Sequence, residues 1–201
     1  MAVQSQHRRV IFASSLGTVF EWYDFYLYGS LSAIISKQFF SGVDETTGFI
    51  FALLAFAAGF FVRPFGAIVF GRLGDMVGRK HTFLITIVLM GASTMLVGLL
   101  PSYQSIGVVA PVILIALRLL QGLALGGEYG GAATYVAEHA AEGRRGFDTS
   151  FIQTTATLGF FLALAVILGC RTGMSTAEFA EWGWRIPFAV SVILLAFSVY
   201  I

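Results

Sequence analysis

Long apolar segments separated by short charged stretches are the feature that most constrains the fold of this chain. A helix needs ~20 predominantly apolar residues to cross a bilayer, and six segments of the sequence approach that length. Charged residues make up only 11% of the chain, against about 25% in a soluble domain. The sequence therefore predicts an all-α membrane protein. We place its helices at about 10–36, 47–71, 80–100, 106–137, 148–170 and 186–201.

The sixth segment is too short to span a bilayer by itself. Fourteen residues follow Pro187, which is ~21 Å of helix against a hydrocarbon core of ~30 Å. We therefore expect the sixth helix to be truncated and the chain to be a fragment of a longer protein. Before it, the spacing of Ser175–Glu178 is typical of a capping box, and we expect Trp182 and Trp184 at the membrane interface.

The distribution of Lys and Arg predicts the orientation of the helices. Loops on the cytoplasmic side of a membrane carry an excess of these residues. Two stretches, Gly71–Lys80 and Glu138–Phe147, are rich in arginine, whereas the opposite side also carries acids. We therefore expect the N-terminus and both stretches to lie in the cytoplasm, with the chain in the cell (inner) membrane. The basic residues on the predicted cytoplasmic side are Arg8, Arg9, Arg72, Arg79, Lys80, Arg144 and Arg145.

Other functional classes find little support in the sequence. The net charge of +1 argues against binding of nucleic acid, which needs a basic face. The chain has a single cysteine, Cys170, and its histidines, His7, His81 and His139, are not clustered as metal ligands. No set of residues with the pattern of a catalytic nucleophile and no nucleotide-binding loop is present. We predict no enzyme activity, no metal and no cofactor.

Charged residues inside the predicted helices are candidates for function, since an ionisable group at mid-bilayer costs about 2.5 kcal/mol or more. Glu21 and Asp24 are three residues apart and share a face of the first helix. Arg118, Gln121 and Glu128 share a face of the fourth. Counting from the helix ends puts the two acids and Arg118 near the midplane, with Glu128 ~15 Å nearer the cytoplasm.

These depths suggest two charge pairs. We expect Arg118 to approach Glu21 and Asp24 in a central cavity, and Arg63 of the second helix to neutralise Glu128 closer to the cytoplasm. Either pair can be a structural lock within the bundle, and we favour that interpretation for Arg63 and Glu128. We favour a functional role for the others, because an excess carboxylate beside a midplane arginine is a natural proton carrier. The candidate proton- and substrate-coupling residues are Glu21, Asp24, Arg118 and Gln121.

Glycines recur every four residues in the fourth helix, at Gly122, Gly126 and Gly130. Small residues at that spacing let two membrane helices approach closely, and we expect close packing as their main use. The same flat face would also let helices slide against one another, which a moving carrier needs.

The stretch Gly71–Lys80 contains three glycines and four charges in ten residues between two apolar segments. The glycines permit a tight turn, and Asp75 can pair with Arg79 at four-residue spacing or cap the next helix. A generic turn would need only part of this pattern. Its spacing, G-x-L-x-D-x-x-G-R-K, resembles the loop between the second and third helices of major facilitator superfamily transporters.

Four further stretches resemble one branch of that superfamily, the metabolite–proton symporters, which include carriers of 2-oxoglutarate, shikimate and proline or betaine. Together with the glycine-rich stretch they occur in the expected order over nearly the whole chain. The stretches are Glu21–Tyr28, Arg63–Gly66, Arg118–Gly130 and Trp182–Phe188.

The resemblance implies a fold of twelve helices in two halves of six, each half built from two three-helix inverted repeats. This chain matches the first half. Asp75 and Arg79 would then belong to a cytoplasmic gate, with Glu138 and Arg145 as charged partners. Met76 departs from the superfamily pattern, which often has arginine there. The predicted gate residues are Gly71, Gly74, Asp75, Gly78, Arg79, Lys80, Glu138 and Arg145.

The residues and the resemblance together predict a secondary active transporter that works by alternating access. It would take up a small polar metabolite, an organic acid or a zwitterionic osmolyte, in symport with protons, and Arg118 matches a fourth-helix arginine linked to proton coupling. The expected partners are membrane lipid, the metabolite and the missing C-terminal six-helix half, with the proton as coupling ion. The alternative is a non-transporting membrane sensor or scaffold that retains the fold.

Overall fold

The computed structural model of the chain is helical, and its described residues contain no strand. The backbone is described for residues 2–140 and 143–200. Within those ranges the side chains of residues 2–17, 79–80, 128–135, 138–139, 152, 194 and 197–200 lie outside the description. The all-α fold class predicted from the apolar segments is confirmed.

The helices follow one another through short connections. The six predicted segments correspond to α1, to α2 and α3 together, and to α4, α6, α7 and α9. Short helical turns, α5 and α8, lie in two of the connections, and a π-helical turn over Phe179–Gly183 follows α8. The elements are α1 (Ala2–Phe39), α2 (Glu45–Phe61), α3 (Arg63–Val77), α4 (Arg79–Leu99), α5 (Tyr103–Ile106), α6 (Val109–His139), α7 (Arg145–Thr172), α8 (Thr176–Glu178) and α9 (Arg185–Tyr200).

Four stretches of the described residues are long and apolar enough to cross a membrane by length and composition. The described part of α1 carries the acids Glu21 and Asp24, and α9 has only 16 residues, so neither helix is among the four. The apolar stretches are Glu45–Val77, His81–Leu99, Val109–Gly127 and Arg145–Thr172.

The second predicted helix is broken near its middle. Val62 separates α2 from α3 with backbone angles of φ −87° and ψ −9°, and Pro64 lies in the first turn of α3. Proline has no N–H to donate to the preceding turn, so a kink at this point is expected. The kink places Arg63 at the start of a new helix.

The stretch Gly71–Lys80 is not the loop that the sequence predicted. Helix α3 continues through Gly71 and Gly74 to Val77, and α4 begins at Arg79. Only Gly78 leaves the helical conformation, with φ 94° and ψ 141°. A glycine within a helix costs only about 1 kcal/mol relative to alanine, and continuous backbone hydrogen bonding offsets that cost. The connection is therefore a one-residue turn.

Glycines bring α6 against α2 and α3 at backbone distance. A Cβ atom built on Gly122 would meet the carbonyl oxygen of Gly59, and one built on Gly126 would meet that of Arg63. The close packing predicted for these two glycines is confirmed. Gly130 lies outside the residues whose surroundings are described. Because no side chain separates the helices, their polar residues are held at short range.

Helix α1 lies at the centre of the bundle and packs against α2, α6, α7 and α9. Gly159 of α7 approaches its backbone so closely that an added Cβ would lie 2.8 Å from the carbonyl oxygen of Val19. The Thr155 and Thr18 hydroxyls are 2.8 Å apart. The Tyr23 hydroxyl donates to the carbonyl oxygen of Pro187 in α9 at 2.6 Å. These contacts fix the rotation of α1 and hence the direction of its acids.

The connection before α9 differs in part from its prediction. The capping box between Ser175 and Glu178 is present, and hydrogen bonds from Ser175 lower the pKa of the Glu178 carboxyl. Trp182 is half exposed, but Trp184 is fully buried, packed edge-on against the ring of Phe39. The interfacial position predicted for Trp184 is wrong, because the π-helical turn directs it into the core.

Candidate functional site

A buried ion pair joins α1 to α6. The Arg118 Nη1 atom lies 3.0 Å from Asp24 Oδ2, and both side chains are only 4% exposed. Breaking a buried pair by removing one partner typically costs about 3–5 kcal/mol, because the remaining charge is left uncompensated. The approach of Arg118 to Asp24 that the helix depths predicted is confirmed.

Two neutral side chains complete the surroundings of Asp24. The Thr94 hydroxyl donates to Asp24 Oδ1 at 2.9 Å, and the Gln121 Nε2 amide donates to the same oxygen at 3.2 Å. The Gln121 amide also lies 2.7 Å from Thr94 Oγ1. Both oxygens of Asp24 are therefore hydrogen-bonded, from α4 on one side and α6 on the other.

The guanidinium of Arg118 is covered by an aromatic ring. Its central carbon lies 3.9 Å from the centroid of the Tyr28 ring, a favourable cation–π distance. The Tyr28 hydroxyl donates to the carbonyl oxygen of Ala52 at 3.0 Å, and its ring stacks on Phe56. These contacts hold Arg118 in place from the side of α2.

Some polar atoms around this pair have no hydrogen-bond partner. They are the Nε and Nη2 atoms of Arg118 and the Oε1 atom of Gln121, all buried. Buried polar atoms are rarely left unpaired. Two donors and one acceptor are therefore available at one place to bind water or a polar group of a ligand.

The second acid of α1 has a different partner from the one predicted. The Oε1 atom of Glu21 lies 3.6 Å from Arg63 Nη1, whereas the sequence predicted that Glu21 would share Arg118 with Asp24. The reason is depth: Glu21 precedes Asp24 by three residues, or ~4.5 Å along the helix, and so lies level with Arg63. The predicted partner of Arg63, Glu128, has its side chain outside the described residues.

A small cleft lies between Asp24, Arg63 and Arg118. Its volume is about 20 Å³, which is room for about one water molecule. The cleft itself is therefore too small to hold a metabolite. The cleft is lined by Asp24, Phe25, Phe56, Gly59, Phe60, Arg63, Arg118, Gln121, Gly122 and Leu125.

A larger cavity of about 510 Å³ lies where α1 ends, along α2 and beside the start of α6. Its lining is almost entirely apolar and includes Phe51, Leu54, Tyr103, Pro111 and Ile115. It contains none of the charged residues singled out in the sequence.

The predicted gate residues are described only in part. Asp75, near the end of α3, and Arg145, the first residue of α7, are both exposed. Gly78 forms the turn between α3 and α4. The side chains of Arg79, Lys80 and Glu138 lie outside the described residues. The gate role of this group stays a prediction.

Two members of the site were not singled out by the sequence. Thr94 lies in the part of α4 that follows Lys80 and has no charged residue, and a neutral threonine among apolar residues carries no signal of its own. Tyr28 shares a helix face with Asp24, four residues away, but its contact with Arg118 depends on how α1 and α6 cross. Among the side chains that the structure describes, no group of three His, Cys, Asp or Glu residues could hold a metal ion.

Residues 10–201 match the family described as "Sugar (and other) transporter". The chain is 41% identical over 194 residues to the proline/betaine transporter of Escherichia coli K12, covering 96% of this chain and 39% of that protein. It is 42% identical over 200 residues to the alpha-ketoglutarate permease of the same strain, covering 98% of this chain and 46% of the permease. The chain thus spans less than half the length of these relatives.

A solved structure with the same fold is the major facilitator superfamily proton:xylose symporter XylE bound to 6-bromo-6-deoxy-D-glucose. Its TM-score with this chain is 0.84 at 17% sequence identity, over 98% of this chain and 45% of XylE. At that identity the match concerns the fold alone. The shared fold is the six-helix arrangement that the resemblance implied.

Proposed function

The chain belongs to the sugar (and other) transporter family, within the major facilitator superfamily, and from this premise we propose that it forms the N-terminal half of a proton-coupled transporter. It would take up a small polar metabolite by alternating access between two halves of the complete protein. The relatives found are transporters and permeases by name, so the prediction that the chain is not an enzyme is confirmed. It is a membrane protein.

The observation that carries the proposal is the buried pair of Asp24 and Arg118, 3.0 Å apart. Charges in membrane-spanning segments are rare and commonly mark ion or substrate pathways. An ion pair that serves only to hold helices together needs no unpartnered polar atoms beside it, because buried polar atoms are rarely left unpaired. Here Asp24, Arg63, Arg118 and Gln121 line one cleft, and three polar atoms of Arg118 and Gln121 have no hydrogen-bond partner.

The free polar atoms favour a substrate that carries an acceptor group. Arg118 offers the Nε and Nη2 donors, and Gln121 offers the Oε1 acceptor. A carboxylate is bound well by two guanidinium donors, and the relatives' named substrates, alpha-ketoglutarate, proline and betaine, all contain one. We therefore propose an organic acid or a zwitterionic osmolyte as the substrate class.

The proposal includes the orientation of the chain in the membrane and a gate on its cytoplasmic side. The excess of arginine around Gly78 and Gly143 supports a cytoplasmic location for these turns and for the N-terminus, in the cell (inner) membrane. The exposed positions of Asp75 and Arg145 leave both free for contact with another part of the complete protein. We propose that the Gly71–Lys80 segment, with Glu138 and Arg145, closes the cytoplasmic side.

Uptake by proteoliposomes tests this function. The protein expressed from its complete gene is reconstituted and given radiolabelled alpha-ketoglutarate or proline, with and without an inward proton gradient. We expect accumulation that rises with the gradient and collapses with a protonophore. A protein that binds one of these compounds but transports none of the panel would favour the alternative, a sensor or scaffold with the same fold.

A further inference from the structure

Two buried acids lie one helical turn apart on α1, and one of them is saturated with hydrogen bonds. Asp24 accepts from Arg118, Thr94 and Gln121 at 3.0, 2.9 and 3.2 Å. Both oxygens are engaged by donors. A proton added to either oxygen would point at a donor and displace it, which leaves a buried polar group without a partner.

The other acid, Glu21, has a carboxylate oxygen that can accept a proton without losing a hydrogen bond. The Glu21 Oε2 atom has no hydrogen-bond partner, and its Oε1 atom lies 3.6 Å from Arg63, beyond the length of a hydrogen bond. Protonation at Oε2 therefore displaces no donor. Glu21 is nonetheless almost fully buried, with 4% exposure, so the gain or loss of a proton changes the charge inside the bundle.

The two arginines differ in how well they tolerate the loss of a counter-ion. Neutralising Asp24 would leave Arg118 alone with 4% of its side chain exposed. Neutralising Glu21 would leave Arg63, which is 30% exposed and lies with its guanidinium 4.3 Å from the centroid of the Phe60 ring. Since the described part of the chain encloses Arg118 almost completely and Arg63 only partly, the free energy cost of an unpaired cation is lower at Arg63.

The charged neighbours of Glu21 are few among the described side chains. Arg63 on α3 and Asp24 on α1 act on its carboxyl, and α6 contributes Arg118, which is bound to Asp24. Helix α7 faces this part of α1 with Thr155 and Gly159. Helix α2 presents the rings of Phe56 and Phe60, and α9 approaches α1 through the Tyr23 contact with a backbone carbonyl. The Glu128 side chain on α6 is outside the description.

We propose that Glu21, and not Asp24, is the group that carries the coupled proton, with Arg63 as its counter-ion. The assignment rests on the proposed proton-coupled function. Glu21 takes a proton from water that reaches it from outside the membrane and returns it to water that reaches it from the cytoplasm, so the carboxyl is unchanged after each cycle. Asp24 stays ionised and positions Arg118 for the substrate.

Infrared difference spectroscopy between acid and alkaline pH tests the assignment without any substrate. The protein expressed from its complete gene is reconstituted in lipid, and the carbonyl band of a buried, protonated carboxyl group is followed. We expect the band in the wild type and in Asp24→Asn, and we expect it to be absent in Glu21→Gln. A band that persists in Glu21→Gln, or that is lost in Asp24→Asn alone, overturns the assignment.

A third variant covers the outcome in which Asp24→Asn does not fold. Thr94→Val removes a hydrogen bond from Asp24, and among the described residues Thr94 forms no hydrogen bond with Glu21, so a band that arises from Glu21 should keep its frequency. A shifted band would assign the proton to Asp24 and overturn the proposal.

Transport measurements separate this assignment from the proposed function. In proteoliposomes loaded with alpha-ketoglutarate or proline, we expect Glu21→Gln to exchange substrate at a reduced rate that no longer varies with pH, and to lose accumulation driven by a proton gradient. If the wild type accumulates substrate in response to the gradient and Glu21→Gln still does so, only the assignment is wrong. If the wild type transports without any response to the gradient, the coupled function and the assignment both fail.

Discussion

Gly122 of α6 lies so close to Gly59 of α2 that an added Cβ would meet the Gly59 carbonyl oxygen. Arg118 precedes the first glycine by four residues and Arg63 follows the second by four. The glycine contact therefore lies one helical turn from each arginine. Because the two backbones touch at this point, the distance between the two ion pairs is set by the helix crossing and not by flexible side chains.

Enlarging this contact should destabilise the bundle. We expect Gly122→Ala to lower the thermal stability of the purified protein, because overpacking typically costs about 1–3 kcal/mol. Gly29→Ala is the matched control, since an added Cβ at Gly29 meets nothing within 4 Å. Thermal unfolding followed by intrinsic fluorescence measures both variants. Equal unfolding temperatures would mean that the crossing is looser than described.

Substitutions of Asp24 and Arg118 should have non-additive effects on the free energy of unfolding. We expect Asp24→Asn alone to destabilise the protein by about 3–5 kcal/mol, since it leaves Arg118 buried and unpaired. The double variant Asp24→Asn/Arg118→Gln should recover most of that loss, which a double-mutant cycle on unfolding free energies measures. Additive effects of the two substitutions would contradict a direct pairing.

The hydrogen bond from Thr94 should contribute to the same network. We expect Thr94→Val to lower the free energy of unfolding by about 1.5–3 kcal/mol, the range for a hydrogen bond to a charged group. Thr86→Val is the control, because the buried Thr86 hydroxyl donates to the carbonyl oxygen of Phe83 within its own helix. Comparison of the two unfolding midpoints in denaturant gives the difference. A larger loss for Thr86→Val would place the important polar contact elsewhere on α4.

The orientation of the chain can be measured directly. In a Cys170→Ala background, we expect Asp44→Cys, in the turn between α1 and α2, to react with an impermeant maleimide added outside intact cells. Asp75→Cys, at the far end of α3, should react only after the membrane is permeabilised. Labelling of both from the same side would contradict a membrane-spanning Glu45–Val77 segment.

Hydropathy predicted the helical segments, and depth along the helix axis predicted the contact between Arg118 and Asp24. Both predictions succeeded because they depend only on a residue's position along its helix. The partner of Glu21 was predicted wrongly, because the sequence did not show that the helix breaks at Val62 and that Arg63, at the start of the new helix, lies level with Glu21. Thr94 gave no signal, since a neutral threonine in an apolar helix is common. The helical path through Gly71 and Gly74 was missed because charged residues at a helix end resemble a loop.

We propose above that the buried charges around α1 couple proton flow to substrate uptake, and that Arg118 takes part in this coupling. The most direct measurement is uptake of alpha-ketoglutarate or proline by proteoliposomes containing Arg118→Gln, with the wild type alongside, under an inward proton gradient. We expect the wild type to accumulate one of these compounds and Arg118→Gln not to accumulate it above the level of empty vesicles. Unchanged accumulation by Arg118→Gln would contradict the proposal.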